Sequence, residues 1–232
     1  ALEKIPGIGK INAQHIFSNK KTALERAEKE VKWIEKSNIH PIFYLDKAYP
    51  KRLSHCEDGP VMLYTKGNMD LNTSKIISIV GTRKATDYGK EYCEKIIADL
   101  VPHQPLIVSG LAFGIDICAH KAAMQHQLPT VATLAHGLDR IYPSQHSVVA
   151  KQMEENGGLI TEFMHETNPD RENFPKRNRI VAGIADLTLV IESSKKGGSL
   201  ITADLANQYN RDVFALPGRL NDEYSEGCNW LI

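Results

Sequence analysis

From Lys75 onward the chain alternates short apolar runs with longer amphipathic stretches. The runs are Ile76–Val80, Leu106–Ser109, Thr130–Leu134, Leu159–Thr161, Leu187–Glu192 and Asp212–Leu216. They are continuous rather than alternating, as expected of strands buried on both faces. Between them, Tyr88–Leu100, Ile115–His126, Gln145–Glu155, Asn178–Gly183 and Leu200–Tyr209 read as helices. Repeated β-α units predict an α/β fold, a doubly wound, mostly parallel sheet with right-handed crossovers. The first part of the chain differs. Ala23, Ala27, Val31 and Ile34 recur at helical spacing within Thr22–Ser37, and two short strands, Ile42–Leu45 and Val61–Tyr64, flank a turn-rich connector over Asp46–Pro60. The pattern predicts a partial helical domain over residues 1–40 and an extended Rossmann-like domain over residues 41–232. The chain opens at Ala1 in what already reads as structure, so the helical domain is expected to be truncated.

Composition removes several classes. With 232 residues, 42% hydrophobic and 24% charged, the chain can bury a core without staples and is not a disordered tail. Twenty-eight basic residues balance twenty-eight acidic ones, so any polyanion surface must be a local patch. The four cysteines, Cys56, Cys93, Cys118 and Cys228, form no C-x-x-C pair and have no histidine at zinc spacing. They read as reduced thiols of a cytoplasmic protein. No signal peptide and no membrane-length apolar run is visible.

In an open parallel sheet, ligands bind beyond the carboxyl ends of the strands. There the sequence places Gly81-Thr82-Arg83-Lys84, Ser109-Gly110 through Gly114-Ile115-Asp116, His136-Gly137-Leu138-Asp139, Glu162, Lys195-Lys196-Gly197-Gly198-Ser199 and Pro217-Gly218-Arg219. Glycines admit backbone N–H groups close to an anion, and a helix N-terminus adds partial positive charge. This edge reads as a phosphate-binding edge. Arg83 and Lys84 are either its cations or solvated surface residues, and Asp116 either faces a ligand or caps the glycine turn. Arg171-Glu172-Asn173-Phe174-Pro175-Lys176-Arg177-Asn178-Arg179 is the sharpest segment. Cations opening a helix have the wrong sign for its dipole, so a phosphate or an internal carboxylate such as Glu162 is expected to compensate. Phe174 is either a platform for a base or part of the core. Arg177 and Arg179 are either phosphate ligands or buried ion-pair anchors. Ile5-Pro6-Gly7-Ile8-Gly9-Lys10 is either a phosphate-binding hairpin or a turn between helices. There is no P-loop, no G-x-G-x-x-G, no G-x-S-x-G and no metal-ligand spacing. His120 and His136 lack an evident catalytic partner.

Taken together, these stretches resemble the bacterial DNA-processing protein A family (DprA, also called Smf). The resemblance rests on Ile79-Val80-Gly81-Thr82-Arg83, Val108 through Asp116, Gly137-Leu138-Asp139 with Tyr142-Pro143, Phe174 through Gly183, Gly198 through Ala203, and Val213 through Gly218. It implies an extended Rossmann fold that binds single-stranded DNA without cutting it. It further implies protection of incoming DNA in natural transformation, loading of the RecA recombinase, a homodimer built through the Rossmann domain, and neither cofactor nor metal. Carried over by position, Arg83, Phe174, Arg177 and Asn178 would contact DNA, with Arg171 as a further cation. Gly198 and Ser199 would line the same pocket. With the glycine turns and neighbouring cations, the expected interface is Arg83, Lys84, Gly110, Gly114, Arg171, Phe174, Lys176, Arg177, Asn178, Gly198 and Ser199. His146 departs from the family's usual asparagine, and the family continues past Ile232 toward a winged helix. The rival reading is a phosphoribohydrolase-like nucleotide hydrolase using the same pocket. Against it, Leu200 follows Gly197-Gly198-Ser199, and the predicted helix Leu200–Tyr209 contains no glutamate. If Arg83, Arg171, Lys176 and Arg177 each neutralise a phosphate, the log–log salt slope is about −3.

Overall fold

The computed structural model describes residues 2–232, which divide into two compact units on either side of the boundary between Ile39 and His40. In the first unit a short 3-10 turn, Leu2–Lys4, precedes α1, Lys10–Lys36. The helix has 27 residues and starts twelve residues before Thr22, where its apolar spacing began. Lys10–Lys21 lacks a clean stripe, but contains neither Gly nor Pro, so nothing in it stops a helix. Gly9 is extended at its start, and Asn38, at φ 50°, follows its last turn in the left-handed conformation.

The second unit is an eight-stranded sheet with helices on both faces. Its strands are β1 His40–Phe43, β2 Met62–Asn68, β3 Ile76–Val80, β4 Leu106–Ser109, β5 Thr130–Thr133, β6 Gly157–Thr161, β7 Leu187–Val190 and β8 Asp212–Ala215. Their order is β1-β2-β6-β5-β4-β3-β7-β8. The six strands from β3 to β8 run parallel, while β2 lies antiparallel on β6 and β1 antiparallel on β2. The helices are α2 Asp87–Leu100, α3 Ile115–Gln125, α4 Ser147–Met153, α5 Asn173–Ile184, α6 Gly198–Gln208 and α7 Glu226–Leu231. α2 packs on α3, and α5 packs on α6.

Both faces of the parallel strands are apolar, which is why their sequence reads as unbroken runs. Along β3 and β4, Ile79 and Ile107 join Cys93, Ile97, Ile115 and Ala119 in one core. Their neighbours Val80, Leu106 and Val108 join Ile180, Val181, Ile184 and Ala203 in the other. Chain order climbs from β3 through β6 in one direction, then returns to the far side of β3 for β7 and β8. The reversal leaves a crevice between the carboxyl ends of β3 and β7, the position where doubly wound sheets bind ligands.

In the sheet unit α7 was not read from sequence, and two of the helices that were read differ in extent. α5 begins at Asn173 rather than Asn178. Pro175 is its third residue, where the missing N–H lacks an intrahelical partner anyway. The cations therefore lie in the second turn, and the argument from a cationic helix start no longer applies to them. α4 covers only Ser147–Met153, preceded by a 3-10 turn over Ser144–His146.

Candidate nucleic-acid interface

The crevice is built from three strand-to-helix turns. After β3, Gly81-Thr82-Arg83 is tied to the end of β7, because Thr82 N donates to the Glu192 carbonyl at 2.8 Å. The buried Glu192 carboxylate accepts from Thr86 N at 2.9 Å and from the Thr86 hydroxyl at 2.5 Å. Thr86 Oγ1 in turn accepts from Gly89 N at 3.2 Å and caps α2. One carboxylate thus fixes the Arg83 turn, the start of α2 and the end of β7. Sequence reasoning missed Glu192 and Thr86; only Thr86 carried a signal, as an N-cap residue type just before a helix.

The second turn follows β4. Gly114 has φ 78° and ψ −124°, a backbone closed to L side chains, and a Cβ there would sit 2.1 Å from the Thr82 carbonyl oxygen. Ile115 N donates to that oxygen at 3.1 Å, so the amino end of α3 rests on the Arg83 turn. Within the turn the buried Asp116 carboxylate accepts from Ala112 N at 3.2 Å and lies near the Ser109 hydroxyl, which itself donates to the Ile79 carbonyl at 2.6 Å. Its pKa is raised on balance, because burial pushes it up more than Arg177, the Ala112 N–H, the nearby Ser109 hydroxyl and Arg83 pull it down. Among the described residues Asp116 is the only carboxylate lining the crevice, and it is committed to the turn and to the arginines.

Arg177 projects from α5 into the floor of the crevice. It is only 6% exposed, and its Nη1 donates to the Thr133 carbonyl. Gly110 lies between it and its counter-charge: a Cβ at Gly110 would be 2.4 Å from both Arg177 Nη1 and Asp116 Oδ2. Burial holds the guanidinium below its ordinary pKa, Asp116 works against this, and Arg83 adds to it. Arg83 itself is exposed at the rim, with its guanidinium 5.2 Å above the Phe174 ring. Tyr142 meets that ring edge-on at 6.1 Å. Two arginines therefore share one buried carboxylate, which leaves the crevice with surplus positive charge beside an aromatic face.

The open cleft has a volume of about 290 Å³. Of the expected interface, the structure brings Arg83, Gly110, Phe174, Arg177, Asn178, Gly198 and Ser199 to its walls. Gly114 is outside its lining and packs against the Thr82 and Arg83 backbone. Lys84, Arg171 and Lys176 are exposed but lie outside its lining, with Arg171 in a separate hollow beside Asp170, Glu172 and Pro175. Ser199 donates its hydroxyl hydrogen to Ser193 Oγ at 2.9 Å, whereas the Cα of Gly198 faces open space. Arg179 turns away from the cleft and pairs with Glu162, the internal carboxylate considered from sequence. A pocket of about 30 Å³ opens beside the cleft, sharing Arg83, Phe174 and Arg177 and adding Phe113, Tyr142 and Pro143.

The histidines near the cleft are structural. His136 uses both ring nitrogens to brace its loop, on the Gly137 carbonyl at 2.9 Å and on Tyr142 N at 3.2 Å. His120 lies fully buried with Nδ1 2.7 Å from Thr130 Oγ1, and burial, aided by His146 and Arg177, drives its pKa from 6.5 to about 3. Between those values the unfolded chain takes up a proton that the folded chain refuses. Stability from this residue is therefore complete above pH 6.5 and falls as the pH drops. His120→Gln should flatten the acid limb of a stability profile taken from pH 7 down to the acid range. An unchanged limb would show that His120 is protonated in the folded state. Among the described residues no group of His, Cys, Asp and Glu is placed to hold a metal ion, and no helix is long and apolar enough to cross a membrane.

Residues 40–232 match the family model of the DNA recombination-mediator protein A. Protein Smf of Escherichia coli is 38% identical over 206 residues, covering 88% of this chain and 55% of that protein. The DNA processing protein DprA of Streptococcus pneumoniae is 40% identical over 188 residues, covering 81% of this chain and 66% of its own length. The chain thus spans roughly half to two thirds of the curated relatives it matches. An X-ray structure of the Streptococcus pneumoniae protein superposes with a TM-score of 0.80 at 38% identity, covering 84% of this chain and 69% of that one. The Helicobacter pylori DNA processing protein A, described for its single-stranded DNA binding mode, superposes with a TM-score of 0.75 at 31% identity, covering 83% and 86%. With a family match across the whole sheet unit and these identities, the chain belongs to the DNA recombination-mediator protein A family.

Proposed function

We propose that this chain binds single-stranded DNA in the switch-point cleft without cutting it, and that the whole protein protects incoming DNA and passes it to the RecA recombinase. One observation carries the reading. An exposed arginine stacked on a phenylalanine stands over glycine turns and a buried arginine, at the sheet edge suited to phosphates. Phosphates sit against Arg83 and the backbone N–H groups of the turns, and a base stacks on the Arg83–Phe174 pair. Such contacts carry no sequence information, so binding is sequence-tolerant. The relative described for single-stranded DNA binding supports the ligand class. A cytoplasmic homodimer acting on RecA belongs to the same reading, from the family resemblance.

The test is a titration of fluorescent oligo-dT and a matching duplex at several salt concentrations. The single strand should bind more tightly. Arg177 is buried opposite Asp116, so only Arg83, Arg171 and Lys176 remain to displace counterions. The expected log–log slope falls from the earlier figure to about −2. Equal affinity for duplex, or binding indifferent to salt, would defeat the reading. Incubation with AMP should release no free base.

A further inference from the structure

α2 and α3 lie side by side on one face of the sheet, and each carries a cysteine toward the other. Cys93 is fully buried in the second turn of α2, and Cys118 is partly exposed in the first turn of α3. Helical side chains lean toward the amino end of their helix, so the Cys93 sulfur lies over the turn that holds Lys90. The Cys118 thiol reaches that same turn, with Sγ 3.7 Å from the Lys90 carbonyl oxygen. The two thiols therefore face each other across the contact between α2 and α3. That contact draws Cys118 below the ordinary thiol value, helped by Lys90 and Lys121 and opposed by burial and Glu94. The same contact and burial push Cys93 far up. The partly exposed Cys118 sulfur is thus the one that a solute reaches and the more readily ionised of the two, while the buried Cys93 keeps its proton. The other two cysteines lie in the core on the opposite face of the sheet. Cys56 donates to the Arg52 carbonyl and Cys228 to the Val190 carbonyl.

We infer that Cys93 and Cys118 form a reversible dithiol–disulfide pair oxidised by a small peroxide. The Cys118 thiolate attacks one peroxide oxygen, forming an S–O bond and breaking the O–O bond. The departing oxygen takes up a proton and leaves as water, or as an alcohol from an organic hydroperoxide. Cys93 then attacks the Cys118 sulfenic sulfur, forming the S–S bond and breaking the S–O bond. The released hydroxide takes the Cys93 proton and leaves as a second molecule of water. Two thiols have lost two electrons and two protons, and the peroxide has gained both. A dithiol reductant restores the pair by exchange. Disulfides of reducing compartments are characteristically transient ones of this kind. The bridge joins the helix that follows the Arg83 turn to the helix that begins at Gly114, so it clamps two walls of the cleft.

The test treats the full chain with a modest excess of hydrogen peroxide, then maps its peptides without reduction. A cross-linked peptide joining Cys93 to Cys118 is expected, with a mass loss of about 2 Da reversed by dithiothreitol. Cys93→Ser should leave a sulfenic acid on Cys118 that dimedone captures. Cys118→Ser should leave Cys93 reduced at the same dose. Complete alkylation of both thiols in the treated wild-type chain would overturn the inference, as would dimedone capture at Cys56 or Cys228 in place of Cys118. The wild-type peptide map decides alone if a serine variant fails to fold.

Discussion

Arg83→Glu should weaken oligo-dT binding by about 10- to 100-fold, the loss of one charge-assisted contact worth about 1.5–3 kcal/mol. The side chain is exposed at the rim, and its contacts are the face of Phe174 and the fields of Asp116 and Arg177. Its replacement removes a cation, unstacks the aromatic face and sets a carboxylate beside Asp116. All three changes repel or release a phosphate chain. Because the site is at the surface, thermal stability should move by no more than about 0.5 kcal/mol. The salt slope should also become shallower by at least about 0.7, since one cation no longer displaces counterions. Titration of the variant beside the wild type reads the affinity and the slope, and a thermal melt of both reads the stability. An affinity within about twofold of wild type would remove Arg83 from the interface.

Arg177→Met should act through a different channel. The residue is buried, its guanidinium donates to the Thr133 carbonyl, and its charge faces Asp116 across Gly110. Methionine fills much of the volume but leaves the Asp116 carboxylate without its main counter-charge in a dry site. Breaking a buried pair from one side costs about 3 kcal/mol or more. The variant should therefore melt well below the wild type and bind DNA weakly, because the glycine turn resting on Asp116 loses its support. Asp116→Asn in the same chain should recover much of the stability, since no buried charge is then left alone. Equal melting of the single and double variants would show that Asp116 is not the group Arg177 serves. Phosphate contact alone predicts the opposite result for the single variant, a loss of affinity with stability unchanged.

The burial of Arg177 was open to a helical reading that the wrong helix start concealed. Counted from Asn173, position 177 falls on the same stripe as Ile180, Val181 and Ile184, all buried. Starting the helix at Asn178 left Arg177 outside the stripe, where it stood open as either a phosphate ligand or a buried ion-pair anchor. Lys176 does face solvent, one position along and about 100° around the axis. Arg179 offered two partners from sequence, a phosphate or Glu162, and the fold brings it to Glu162.

By itself the sequence determined the strands, their parallel pairing and the edge on which chemistry lies. Strands buried on both faces must be apolar throughout, and the glycines that let backbone approach an anion stand directly after them. It also carried the family, through motifs spread along the chain in a set order. Only the tertiary structure decided which candidate residues meet. Arg83, Arg177 and Asp116 come from three segments and gather where the strand order reverses, while Lys84, Arg171 and Lys176 remain outside. Tertiary structure likewise chose the clamp of Glu192 on Thr86, and the meeting of Cys93 with Cys118. Local pattern reports whether a residue prefers water or core. Which charge stands opposite another is set by the crossovers that bring distant segments together.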